Sequence, residues 1–118
     1  MRNTSIKIYS WNIDGLSGSS DTGLLKRMDL KRMFREGRQE LKTNTSQIVF
    51  IALTGIHVKD YSELSFRLQE FDVTKEIEKY GYDYFWTPSS THEGGLVLFW
   101  KAVDSTQVMI SDKGMTTS

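Results

Sequence analysis

Six consecutive apolar residues, Ile48-Val49-Phe50-Ile51-Ala52-Leu53, constrain what this chain can fold into more than any other segment. Side chains on a strand alternate between two faces. An unbroken apolar run therefore presents apolar groups on both sides and has to be covered on both. The run lies between a polar break, Thr43 to Gln47, and a loop from Thr54 to Asp60. It is far too short to cross a bilayer, which takes about 20 apolar residues.

The flanking patterns supply partners for such a strand. Ile6 to Trp11 alternates, with Ile6, Ile8 and Ser10 on one face and Lys7, Tyr9 and Trp11 on the other. From about Leu24 to Lys42 the spacing predicts a helix, with Leu30, Phe34 and Leu41 on one face, Met33 beside them, and Asp21 or Thr22 as the cap. A second helical stretch carries Leu64, Leu68 and Phe71, then Ile77 and Tyr80, with a break near Asp72-Val73. Tyr82 to Trp86 reads as a strand that stops at Pro88. Gly94-Gly95 introduces a buried strand, Leu96 to Trp100, and Gln107 to Ile110 reads as a weak further one. The order β-α-β-α-β-β implies an α/β sheet with helices packed against it.

A chain of 118 residues accommodates one small domain or part of a larger one, and the Ser17–Gly23 stretch is too short to separate two. Fifteen basic residues balance 15 acidic ones, so a nucleic-acid partner requires a local concentration of cations. Lys26, Arg27, Lys31, Arg32, Arg35, Arg38 and Lys42 crowd the first helix, but Asp29, Glu36 and Glu40 offset them. A solvated face with pairs such as Glu36–Arg32 is the expected state. The absence of cysteine excludes disulfides and thiolate metal sites. With no apolar leader run, the protein is expected to be soluble and intracellular, nuclear or cytoplasmic, and neither secreted nor membrane-bound.

Asn12 and Asp14 fall where the first strand stops. An amide and a carboxylate there suit a phosphate and a divalent cation, but on spacing alone ordinary turn chemistry is the preferred account of Asn-Ile-Asp-Gly. The segment Lys7-Ile8-Tyr9-Ser10-Trp11-Asn12, followed by Asp14-Gly15-Leu16, resembles the opening motif of the endonuclease/exonuclease/phosphatase superfamily. It is most similar to apurinic/apyrimidinic endonucleases and to the endonuclease domains of non-LTR retrotransposons. A tyrosyl-DNA phosphodiesterase carries a closely similar Trp-Asn-Ile-Asp-Gly-Leu. Tyr82 to Ser89 and Gly94 to Trp100 fit the family's Tyr-x-x-x-x-x-Pro-Ser and Gly-Gly strand motifs, so the resemblance runs from Ile6 to about Lys101.

The resemblance implies a four-layered α/β/β/α sandwich. Residues 1–118 would form its N-terminal half as a single partial domain, one mixed sheet with helices on its outer face. It also implies Mg²⁺-dependent cleavage of DNA, with Asn12 orienting phosphate or metal and Asp14 as a metal ligand. An ordinary member closes its second buried strand with a metal-binding Glu. Aligned on Leu53-Thr54 and His57, this chain has Gly55 there and Ile56 in place of Thr; aligned on Ile48-Val49-Phe50, it has Leu53 there. Either way no carboxylate occurs between Ile48 and Val58, and Asp60 is the first acidic residue after the strand. The family's Asp-x-Asn pair, further Asp and final Asp-His have no match in this sequence.

The expectation is thus a truncated, inactive relic of a retroelement endonuclease, in which Gly55→Glu raises Mg²⁺ affinity. The rivals are a non-catalytic fragment that binds nucleic acid or protein, and a product that folds poorly. A half-sandwich leaves an inner sheet face uncovered, which invites self-association. His57 reads as a loop residue and His92 as a solvated turn residue beside Glu93. The loop Ser89–Glu93 matches a DNA-approaching region of the family but is acidic at its tip.

Overall fold

The computed structural model describes residues 5–16, 21–91, 93–103, 108–111 and 114–117. Strand β1 (Ile6–Asn12) leads to helix α1 (Asp21–Lys42), then strand β2 (Ile48–Thr54). Helices α2 (Tyr61–Glu70) and α3 (Thr74–Tyr80) follow, then strands β3 (Asp83–Thr87) and β4 (Leu96–Ala102). A two-stranded hairpin of β5 (Val108–Ser111) and β6 (Gly114–Thr117) ends the described chain. The main sheet has the order β1-β2-β4-β3: β1 is parallel to β2, and β4 is antiparallel to both β2 and β3. This is the mixed α/β sheet that the element order implies. The strand expected over Gln107 to Ile110 is β5, and its partner β6 carries no apolar alternation by which to foresee it. No helix among the described residues is long and apolar enough to cross a membrane.

Strand β2 sits inside the sheet, paired on both edges, and is buried on both faces. Its Val49, Ile51 and Leu53 face the helices with Tyr9 and Trp11 of β1, Tyr84 and Trp86 of β3, and Val97 and Phe99 of β4. Leu30, Phe34 and Leu41 of α1, Leu64 and Leu68 of α2, and Ile77 of α3 close this core from above. Phe34 is its hub. Its ring meets Tyr82 at 5.0 Å and Phe99 at 5.1 Å, both edge-on, an arrangement that adds about 0.5–1.5 kcal/mol per pair beyond burial.

Gly37 lets α1 come this close. A Cβ there would lie 2.8 Å from Val49 Cγ1 and 3.1 Å from the Tyr82 hydroxyl. A mid-helix glycine costs about 1 kcal/mol relative to alanine, and here the loss is offset by the contact between helix and sheet. On the polar side of α1, Arg32 pairs with Asp29 at 3.5 Å rather than with the expected Glu36, which lies against Tyr9. Glu36 is turned toward the β1 edge beside Tyr9, whose phenol is pushed up by burial and then by the Glu36 charge.

The break between α2 and α3 falls where the sequence puts it. Asp72 adopts a left-handed φ of 58°, and α3 ends on Gly81 at φ 73°, the conformation that terminates a helix with least strain. On the opposite sheet face, Ile48, Phe50 and Trp100 form a second buried cluster with Phe85, Leu98 and Ala102 beside them. Toward the β1 edge this face opens: Ile6 is 47% and Ile8 is 63% exposed.

Tyr82 is buried, and its hydroxyl reaches the Phe34 carbonyl at 3.4 Å. Burial, then the charge of Glu76, pushes its phenol well above the ordinary value. Tyr84 is pushed up to about 12, first by its hydrogen bond with Tyr61 and then by desolvation. A phenol held neutral by the fold contributes full stability below its unfolded pKa of about 10 and loses it as pH rises from there toward the folded value. Unfolding in urea between pH 8 and 12 should show stability declining above about pH 10, with a shallower decline in Tyr82→Phe. Identical slopes for the two proteins would show that Tyr82 has no part in it.

Candidate functional site

The polar corner at the carboxyl ends of β1 and β2 is built by backbone hydrogen bonds. Parallel pairing continues past the strands: Ile13 N–H donates to Thr54 O at 3.0 Å, Gly15 N–H to Gly55 O at 2.6 Å, and Leu16 N–H to Ile56 O at 2.9 Å. A third segment closes on these two, with Gly55 N–H donating to Gly95 O at 2.9 Å and His57 N–H to Gly94 O at 2.8 Å. Ile13, Leu16, Ile56 and Val58 turn inward and anchor the loops in the core. Asn12, Asp14 and His57 are left outward.

Asn12 lies opposite Thr54 in the register, and its Oδ1 accepts the Asp14 N–H at 3.3 Å. That contact is an Asx turn, the local alternative that turn chemistry offers. Asp14 takes a left-handed φ of 52° and projects its carboxylate into solvent, where it is 90% exposed and 3.7 Å from His57 Nε2. His57 has a left-handed φ of 54° and an exposed ring. From α1, Lys26 Nζ donates to the carbonyls of Asp14 at 2.9 Å and Gly15 at 3.3 Å. This ammonium clamp on the loop backbone joins residues far apart in sequence, and no local pattern announces it.

Position 55, not 53, is the one beside Asn12. Leu53 is fully buried in the helix-facing core opposite Trp11, so a carboxylate there would point away from the corner. A Cβ on Gly55 would lie 2.5 Å from Asn12 Oδ1. The donor set at the corner is accordingly one carboxylate, Asp14, and one amide oxygen already engaged by a backbone N–H. Mg²⁺ takes about six oxygen ligands, usually several waters together with one or two carboxylates and the substrate's own phosphates. With one solvent-exposed carboxylate the corner is a weak Mg²⁺ site at best, and no group of three or more His, Asp or Glu with metal-ligand proximity occurs among the described residues.

Asp60 does not reach back to the corner. Its Oδ1 accepts the Glu63 N–H at 2.8 Å and caps α2. The Asp60-x-x-Glu63 spacing just ahead of an apolar helical pattern is a legible capping signature, and it accounts for this acid without a metal. In the 89–93 loop, Ser89 N–H donates to Val58 O at 2.7 Å and Ser90 N–H to Glu93 O at 2.7 Å, forming a tight turn with exposed Glu93 near its tip. His92 lies outside the described residues.

Gly55 is also locked by its own backbone. Its φ is +64°, and a Cβ on Gly94 would approach Gly55 Cα to 2.9 Å, so the two glycines form a close crossing of main chains. Restoring a carboxylate at 55 therefore carries a structural cost that the sequence does not disclose. Gly55→Ala should destabilise the protein by about 1–2 kcal/mol from the left-handed conformation, with the Asn12 contact adding to it. A urea midpoint unchanged within error would show that the loop relaxes freely.

A scan of the sequence against protein-family models finds no match, and comparisons with curated proteins and with solved structures find none either.

Proposed function

We propose that this chain derives from Mg²⁺-dependent phosphodiesterases of the endonuclease/exonuclease/phosphatase type and has kept the polar corner of their site without the means to cleave DNA. The observation that supports this reading is the adjacency of Asn12 to position 55 at the ends of two parallel strands, with Asp14 beside them. In a working site of this type, position 55 supplies the charged ligand. Here it is glycine, and the Asn12 amide turns to its own loop instead. The sequence changes at Gly55 and Ile56 fall within an otherwise well-formed strand and loop, the pattern of a decayed retroelement endonuclease. A DNA-associated role inside the cell, nuclear or cytoplasmic, accords with a cysteine-free sequence.

Chemically, the corner can orient but not activate. Asp14 and His57 are close enough for a water-bridged or weak direct contact, and Lys26 fixes the loop without facing outward. The metal-dependent hydrolysis this reading implies further requires a firmly held cation and an array of donors around the leaving oxygen. Incubated with Mg²⁺ or Mn²⁺ and an abasic-site duplex, the protein should nick no faster than its Asn12→Ala variant. Nicking that disappears in Asn12→Ala would overturn the proposal.

A second reading, a non-catalytic module that associates with itself, is favoured by the open face at β1. This strand is an edge strand, and it carries two exposed isoleucines on the face that elsewhere buries Phe50 and Trp100. Unpaired backbone groups beside exposed apolar side chains are what a second strand or sheet face seeks. Light scattering after gel filtration should show a concentration-dependent dimer that Ile8→Lys returns to a monomer. A monomer at every concentration would rule this reading out.

A further inference from the structure

The end of the sheet opposite Asn12 and Asp14 carries a groove of about 450 Å³ between the last turns of α1 and α3 and the end of β4. Its floor is apolar, formed by Leu41, Val103 and the Tyr80 ring, and its rim is Arg38, Lys42 and Lys101. Arg38 stacks on Tyr80 with its guanidinium carbon 4.2 Å from the ring centroid, and Lys79 Nζ approaches the same ring at 5.5 Å. Lys101 extends over the end of α3, its Nζ 3.5 Å from where a Cβ on Gly81 would sit.

None of these four cations belongs to an ion pair among the described residues, where the pairs are Lys31–Asp72, Arg32–Asp29, Arg67–Glu70 and His57–Asp14. Among the described residues, no carboxylate lines the groove. Lys42 and Lys79 stand in the last turns of their helices, where a cation answers the helix dipole. Two helix ends bring at most about half a negative charge each, less than the four cations carry. On a chain with no net charge this is a local concentration, not a by-product of overall basicity.

We infer that this groove binds single-stranded nucleic acid, with phosphates on Arg38, Lys42 and Lys101 and a base laid on the apolar floor. The charge selects an anion. Lys42 is exposed and Arg38 and Lys101 are half-buried; at such water-accessible positions each contact alone is weak, so a polymer with regularly repeated charges is held far better than a lone anion. The apolar floor selects a strand whose bases are free to lie flat, whereas a duplex hides them in its stack. An acidic peptide offers charge without flat apolar rings. The volume lies within the range of ordinary small-ligand clefts and accommodates one nucleotide unit. The groove is remote from the polar corner, and the inference stands independently of the function proposed there.

The test is fluorescence anisotropy with a labelled 12-nucleotide oligo(dT), in EDTA so that no metal chemistry contributes. Affinity should fall with salt with a log–log slope of about −2 to −3, as expected for three or four phosphates on a single strand. Arg38→Glu with Lys101→Glu should weaken binding at least tenfold, and Lys7→Glu with Lys59→Glu less than twofold, with the fold of both double variants checked by circular dichroism and urea unfolding. No binding at low salt, equal loss in both double variants, or a duplex of the same length binding as tightly would overturn the inference. So would displacement by poly-glutamate as effective as by unlabelled oligo(dT), because charge alone would then account for the site.

Discussion

Everything in this molecule is arranged around the requirement that β2 be covered on both faces and paired on both edges. A strand without polar side chains between Ile48 and Leu53 has no stable exposed state. Pairing β1 in parallel on one edge obliges the chain to cross over, and α1 is that crossover, laid on one face. Pairing β4 antiparallel on the other edge returns the chain and brings Phe99 under Phe34. The opposite face gathers Phe50 and Trp100 into the smaller cluster. On that face coverage holds at Ile48, Phe50 and Trp100, is partial at Ala52 and Leu98, and thins toward β1, where Ile6 and Ile8 stand open.

The polar corner inherits its geometry from the same strand. Because the β1–β2 ladder runs on past Asn12 and Thr54, the two following loops are tied together by main-chain hydrogen bonds before any side chain acts. Glycines at 55 and 94 permit a third segment to cross them at contact distance. Such a frame is rigid where it matters for positioning. What it positions is sparse: one amide, one carboxylate and one imidazole, none with the convergent charge that phosphate transfer demands. The groove at the other end has the converse character, with ample charge and an apolar bed but no nucleophile or base.

Much of this was legible in the residues. The alternation in β1, the face Leu30-Phe34-Leu41, the break at Asp72 and the burial of the β2 run are local periodicities, and each reads the same in sequence and in space. The end of β1 at Asn12 is readable from the polar turn that follows it, whereas the placing of position 55 beside it follows from the β1–β2 register. What was not legible depends on contacts between distant segments. The Lys26 clamp, the pairing of Arg32 with Asp29 rather than Glu36, and the strain that left-handed backbone would impose on any side chain at position 55 have no counterpart in spacing. The cationic groove is likewise invisible along the chain, since its rim comes from a helix and a strand about sixty residues apart and its floor from three elements.

The contact at Gly37 has a consequence for how α1 can move. One turn to either side stand Met33 and Leu41, so sliding the helix along its axis by a turn would drive a large side chain into Val49 and the Tyr82 hydroxyl. The glycine thus acts as a detent with a single setting. Lys26 lies eleven residues up the same rod, about 16 Å from that point, and meets the Asp14 and Gly15 carbonyls only in that setting. A notch where α1 crosses the middle of the sheet therefore fixes the reach of an ammonium group at its rim.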